Sequence, residues 1–193
     1  MSNSKIIIVE GPQGVGKTTI TDFIRNSIPY TNLYRLCGTH DVTKTGREKS
    51  IKMYNALMNY IENMQNTNVN LLFDRTFFTE EIYCRLGKKD YTFTDIYEKL
   101  LKKLSLLDFD IYYITLYLEN ESEYDKRLDR PGKAKTKNAD FEKSSSIIQQ
   151  EEYLKMADEI KNKYKNINVV NINNSRPIEE VKKEIKGLLD WKY

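Results

Sequence analysis

Short apolar runs alternate along the chain with longer stretches in which apolar residues return every three or four positions. The runs fall at residues 5–9, 32–36, 69–73, 110–118 and 167–172 and are rich in Ile, Val, Leu and Tyr, as strands are. Residues 111–118, IYYITLYL, are apolar at successive positions, so this strand expects cover on both faces. The periodic stretches predict helices at 16–28, 46–66, 77–87, 94–107, 119–129, 140–165 and 177–190. In the second of these, Ile51, Tyr54, Leu57, Ile61 and Met64 fall on one face. Pro29 and Pro177 stand at element boundaries, where a missing N–H is tolerated. Strands separated by helices throughout are joined by crossovers, which makes the sheet parallel. The expected fold is therefore α/β, a doubly wound five-stranded parallel sheet. With no internal repeat and no Pro-, Gly- or Ser-rich linker, residues 1–193 read as one domain. Ligands of such a sheet collect beyond the carboxyl ends of its strands.

Chemistry appears where the first run ends. EGPQGVGKTT, residues 10–19, contains G-x-x-x-x-G-K-[ST] as Gly11, Gly16, Lys17 and Thr18. Glycines let the backbone curl so that its N–H groups form an anion cradle, Lys reaches the β- and γ-phosphates, and the Thr hydroxyl holds Mg²⁺. The apolar run in front and the helix behind are the context this mechanism needs. Candidate ATP contacts on this segment are Gly11, Gln13, Gly14, Val15, Gly16, Lys17, Thr18 and Thr19. The third run ends in NLLFDR, and Asp74 after three apolar residues fits a Walker B carboxylate. Thr18 and Asp74 are the candidate metal ligands, with Mg²⁺ and ATP as the implied cofactor and donor.

Bulk properties narrow the class. A net charge of +3, spread along the chain, argues against a dedicated nucleic-acid binder, and 39% hydrophobic with 31% charged residues suits a soluble globular protein. Cys37 and Cys84 form neither a C-x-x-C pair nor a metal-ligand spacing, so a reducing, cytoplasmic setting is the default. No apolar run approaches the ~18 residues of a membrane span, and MSNSK has no signal-peptide pattern, so no membrane partner is expected.

Around Asp74 the chain resembles the thymidylate kinase family of nucleotide kinases. That family carries Asp-Arg-[Tyr/Ser/Thr], then Ser three residues on, then Ala-Tyr-Gln; this chain has Asp74-Arg75-Thr76, Thr79 and Ile82-Tyr83-Cys84. Residues 126–158 are similar to the family's lid, an Arg-rich loop leading to Asp-x-Glu and a later Tyr, here Arg127, Arg130, Asp140, Glu142 and Tyr153. NINNSRPIEEVKKEI resembles the last loop and helix, where the adenine rests, so Asn173 to Arg176 would line it. The resemblance implies a P-loop NTP hydrolase-like kinase fold with a mobile lid at about 130–140, nucleotide substrates, and room for a homodimer. It implies catalytic roles for Lys17, Arg75, Arg127 and Arg130. Arg127, Asn173 and Arg176 join the ATP contacts, and Arg35, Arg75, Thr79, Tyr83, Cys84 and Tyr153 become acceptor contacts. The lid also has a physical rationale. Residues 126–137 hold six cations against the single acid Asp129, with Pro131 and Gly132 between them, as suits a loop closing over phosphates.

The acceptor is the open question. A hydroxyl acceptor needs a carboxylate to take its proton, and in deoxynucleoside kinases of the same fold that carboxylate follows the second strand. LYRLCGT stands there, with Arg35 and no acid before Asp41. A monophosphate is already anionic and needs cations, which Arg35 and Arg75 supply. The expected reaction is phosphoryl transfer from ATP to a (deoxy)nucleoside monophosphate, with a deoxynucleoside or a nucleic-acid end or base as alternative acceptors. A regulatory GTPase would need Asn-Lys-x-Asp, which KNAD and NKYK do not match; a motor ATPase would carry Asp-Glu at 74–75. His40 has no catalytic partner at a recognisable spacing.

Departures from the family gather on the acceptor side. Arg-Glu-Pro-Gly-Gly-Thr is replaced by the shorter Arg35-Leu-Cys-Gly-Thr39, the Asp of the glycine loop by Gln13, and the Gln after Tyr83 by Cys84. Cys cannot repeat the amide's bonds to a pyrimidine edge. The expectation is a relaxed base preference or a base with a larger substituent, such as a 5-modified deoxyuridylate.

Overall fold

The computed structural model describes residues 4–36, 38–129 and 142–189. Strands β1 (Lys5–Glu10), β2 (Thr31–Arg35), β3 (Asn70–Asp74), β4 (Asp110–Tyr117) and β5 (Ile167–Asn173) form one parallel sheet in the order β2-β3-β1-β4-β5. Helix α1 (Lys17–Ser27) links β1 to β2, and α2 (Lys44–Asn63) links β2 to β3. Helices α3 (Phe77–Arg85) and α4 (Thr94–Ser105) precede β4, α5 (Glu123–Leu128) and α6 (Lys143–Lys163) precede β5, and α7 (Ile178–Leu188) follows it.

The central strand explains the sandwich. Along β1, Ile6 and Ile8 join a core with α2, α3, α4 and α6, while Ile7 and Val9 join a second core with α1, α5 and α7. Each such side chain contributes roughly 1.5–3 kcal/mol by leaving water, so an unbroken apolar run is stable only between two helical layers. The chain winds first to one side of β1 and then to the other, which puts the switch of direction, and a ligand crevice, at the end of β1. Register brings Val9 and Arg35 beside Asp74 and Glu10 beside Thr115, so the three strands β1, β2 and β3 deliver their last residues to one edge.

Every expected strand and helix is present, with ends shifted by a few residues. The buried stripe of α2 differs from the expected one: it runs through Gly46, Ser50, Tyr54, Met58 and Ile61, leaving Ile51 and Leu57 half-buried. Its first turns pack with small residues that apolar periodicity does not register. A Cβ on Gly46 would stand 2.0 Å from the Asp41 carbonyl oxygen, and Ser50 bonds Thr39 at 3.2 Å. Helix α5 starts later than expected because the Asn120 side chain turns residues 120–122, accepting from the Ser122 N–H at 3.2 Å and its hydroxyl at 2.7 Å. The expected lid at 130–140, with Arg130 and Asp140, lies outside the described residues, as does Cys37.

Candidate active site

Residues 11–16 cross from β1 to α1 with three glycines at positive φ, 141° at Gly11, 84° at Gly14 and 99° at Gly16. Space as well as conformation demands glycine. A Cβ would lie 2.6 Å from the Leu116 carbonyl oxygen at Gly11 and 2.5 Å from Asn174 Nδ2 at Gly16. The loop's carbonyls, which would repel phosphate, are tied to other elements. Val15 O accepts from Asn174 Nδ2 at 2.7 Å and Arg127 Nη1 at 3.1 Å, and Gln13 O accepts from the Ser146 hydroxyl at 3.1 Å. Helix α1 begins at Lys17 with no acid in its first turn, so its N-terminal N–H groups favour an anion. The buried Lys17 ammonium donates to Gly11 O and Pro12 O, both at 2.7 Å.

Next to the loop, the Thr18 hydroxyl donates to Asp74 Oδ2 at 3.4 Å. A hydroxyl and a carboxylate are hard oxygen donors of the kind Mg²⁺ takes together with substrate phosphates, so the pair fits the ion. Arg35, at the end of β2, pairs with Asp22 and brings Nε to 3.8 Å from the same Asp74 oxygen.

Arg75 follows β3 in the left-handed region, φ 70°, with its N–H donating to Val9 O at 3.2 Å. Its half-buried guanidinium faces Tyr83, Tyr153, Glu10 and Asp74. Burial disfavours the cation, but those neighbours outweigh it and hold the guanidinium protonated. Of the other expected acceptor residues, Thr79 and Tyr153 are buried and turned toward Glu10: the Thr79 hydroxyl donates to Glu10 Oε2 at 2.7 Å and bonds the Tyr153 hydroxyl at 2.8 Å. Tyr83 is half-buried, with Lys88 Nζ 5.8 Å from its ring centre. Cys84 packs half-buried at the edge of the core, and its thiol is pushed up to about 12, first by burial and then by the Glu80 and Glu81 carboxylates. It stays protonated at neutral pH.

On the far side of the loop, Arg127 donates to Val15 O, to Asn174 O at 2.7 Å and to Glu123. Asn173 bonds Glu119 and Ser175, and Arg176 donates to Asn173 O at 3.1 Å while pairing with Glu184. Asn174, one position on, is the residue of this turn that reaches the glycine loop. Thr19 and His40 are exposed.

No family model and no curated protein matches the chain. Solved structures do. Thymidylate kinase from Candida albicans superposes with a TM-score of 0.70 at 14% identity, covering 98% of this chain and 92% of that one. Deoxyadenosine kinase from M. mycoides with bound dATP gives 0.66 at 20% identity, over 97% and 100% of the two chains. The same enzyme with its product dCMP and a flexible dCDP gives 0.64 at 18% identity, over 96% and 98%. The fold is that of the P-loop nucleotide kinases. Within this fold, Lys17, Thr18, Asp74, Arg35 and Arg75 gather at the crevice beyond β1 and β3. Among the described residues no helix is long and apolar enough to cross a membrane.

Sequence reasoning passed over Glu10 and the Glu80–Lys89 pair. The signal for Glu10 was available: an acid closing an apolar run that the kinase fold buries on both faces. Lys89 Nζ lies 3.4 Å from Glu80 and donates to Thr39 O at 2.6 Å, and Tyr91 donates to Glu80, so the loop after β2 is tied to α3. Burial pushes the Glu10 carboxyl up from 4.5 to about 7, against hydrogen bonds from Thr79 and Thr76 and the charges of Arg75 and Lys17. Between those two pH values the native state keeps a proton that the unfolded chain has lost, so stability falls as pH rises through the window and is level above it. The fall is on the order of 3 kcal/mol. Urea midpoints at pH 5 and pH 8 should drop more in wild type than in Glu10→Gln; an equal drop in both would assign the effect elsewhere.

Proposed function

We propose that the protein transfers the γ-phosphoryl group of ATP to the phosphate of a (deoxy)nucleoside monophosphate. One observation carries this reading: the acids that end β1 and β3, and Asp22 on α1, are all engaged, while the cations beside them face a crevice built for phosphate. Asp74 meets Thr18 and Arg35, Asp22 pairs with Arg35, and Glu10 is buried under Thr76 and Thr79. Glu10 has no solvent exposure behind Thr76 and Thr79, and Asp74 is buried between Thr18 and Arg35, so on this reading neither is presented to a hydroxyl acceptor. A monophosphate, already anionic, needs what Arg35 and Arg75 provide.

The loop of residues 11–16 and the first turn of α1 hold the donor's phosphates. Lys17 exchanges the carbonyl oxygens of Gly11 and Pro12 for phosphate oxygens, and Arg127 secures the loop from behind. Thr18 and Asp74 would hold Mg²⁺, which when bound neutralises charge on the phosphates. Arg75, with Arg35, aligns an acceptor phosphate oxygen with the γ-phosphorus. The new P–O bond forms there as the bond to the bridging oxygen of ADP breaks. Catalysis on this scheme is alignment and charge neutralisation. The turn of residues 173–176 carries the adenine.

A deoxynucleoside acceptor is the second reading, favoured by the fold shared with deoxyadenosine kinase. ADP release measured across deoxynucleosides and their monophosphates separates the two. Stimulation by monophosphates is expected; stimulation by nucleosides alone would establish the second. A steep salt dependence of DNA binding would point to a nucleic-acid acceptor instead.

Base preference follows from Cys84. Wild type should discriminate among dTMP, dUMP, hydroxymethyl-dUMP, dCMP and dGMP by less than about 100-fold in kcat/KM, and Cys84→Gln should shift it toward dTMP. A wild-type preference for dTMP of several orders of magnitude, unchanged by the substitution, would remove Cys84 from the base site.

A further inference from the structure

Beneath Arg75 lies a buried chain of one carboxylate and several hydroxyls to which the scheme above gives no task. Glu10 ends β1 without solvent exposure. Its Oε1 accepts from the Thr76 N–H at 2.8 Å and the Thr76 hydroxyl at 3.3 Å, and its Oε2 accepts from the Thr79 hydroxyl at 2.7 Å. Thr79 continues to the Tyr153 hydroxyl on α6 at 2.8 Å, and the Tyr54 hydroxyl on α2 donates to Thr76 O at 3.3 Å. Arg75 sits immediately before these anchored residues at φ 70°. A non-glycine residue is strained in that conformation and keeps it only where its surroundings over-determine it. Glu10, reaching both Thr76 and Thr79, supplies much of that constraint. A carboxylate is an expensive group to bury, and Glu10 is held there by donors from Thr76 and Thr79. An apolar set of residues could fill this space without either, so the arrangement asks for a further reason.

We propose that Glu10 is a positioning residue for the acceptor phosphate. It fixes the turn that carries Arg75, and the Thr79–Tyr153 hydroxyl pair ties that turn to α6, the helix that begins just beyond residues 130–141. The inference rests on the kinase reading, with Arg75 as the acceptor clamp. Glu10 itself touches no substrate and acts through Arg75.

Three variants test it: Glu10→Gln, which keeps the shape but offers an amide donor in place of one acceptor oxygen; Thr79→Val, which removes the hydroxyl; and Thr79→Ser, which restores it. The probe is whichever of dTMP, dCMP, dAMP and dGMP has the highest kcat/KM with wild type. Glu10→Gln and Thr79→Val should raise the acceptor KM roughly tenfold to hundredfold while the ATP Kd from calorimetry stays within about twofold. Thr79→Ser should return to within a few-fold of wild type. In an Arg75→Ala background, Glu10→Gln should add almost nothing to the acceptor Kd, because the group it positions is gone. An unchanged acceptor KM in both folded variants, or a full additive effect on top of Arg75→Ala, would overturn the proposal. If Glu10→Gln does not fold, the Thr79 pair decides alone. Wild type inert toward all four, and toward dUMP and hydroxymethyl-dUMP, would remove the monophosphate kinase reading, a result distinct from active wild type with indifferent variants.

Discussion

Lys17→Ala is expected to lower kcat by about 10³-fold or more, roughly 4 kcal/mol of transition-state stabilisation, in a protein that still folds. The Lys17 ammonium is buried at the mouth of the glycine loop and bonded to the carbonyls of Gly11 and Pro12. Those two bonds contribute on the order of 1–3 kcal/mol to the structure, a loss that a domain of this size tolerates. On the proposed scheme its larger contribution arises when charge moves onto the oxygens of the transferring phosphoryl group, a demand greatest in the transition state. ADP release beside circular dichroism checks both halves. Turnover within a few-fold of wild type, in a folded variant, would sink the phosphoryl-transfer scheme.

Arg75→Ala should cost about 10²–10³-fold in kcat/KM for the acceptor while leaving ATP affinity within about twofold. Of the two arginines at the strand ends, Arg35 is held by Asp22 and lies beside Asp74, whereas no side chain among the described residues hydrogen-bonds or ion-pairs with the Arg75 guanidinium. On the proposed scheme this half-buried cation, with Glu10 and Asp74 among its neighbours, is the one left to take an acceptor phosphate. The backbone supplies a control. At φ 70° alanine is strained and glycine is not, so Arg75→Gly should be about 1 kcal/mol more stable than Arg75→Ala and equally impaired. Loss of ATP binding in both folded variants would move Arg75 to the donor side.

The glycine loop and the acid beside it were legible in the sequence because their pattern is local. A glycine loop, the lysine and the hydroxyl that follow it, and an acid ending a strand are read within a few residues of one another. Strands were legible for a related reason: burial on both faces leaves unbroken apolar runs, and β1 and β4 are such runs. Helix faces were less so where small residues make the contact, as Gly46 and Ser50 do on α2. The acceptor floor was hidden because it is assembled across the chain. Glu10 meets Thr79 across 69 positions and Thr79 meets Tyr153 across 74; on the donor side, too, the brace from Asn174 to Val15 spans 159. The family resemblance marked Thr79 and Tyr153, but their direction, toward Glu10, depends on a register that only the folded sheet sets. Glu10 reads from sequence as the end of a strand, and its contacts with Thr76 and Thr79 form only once β1, α3 and α6 are brought together.

Phosphoryl transfer itself is tested most directly by ³¹P NMR of the protein incubated with Mg²⁺, ATP and each deoxynucleoside monophosphate in turn. For at least one of them the monophosphate resonance should disappear and the paired resonances of its diphosphate grow in beside those of ADP, and Lys17→Ala should abolish the change. Monophosphate resonances unchanged across the whole series, with ATP either intact or hydrolysed to ADP and inorganic phosphate, would contradict a nucleoside monophosphate kinase.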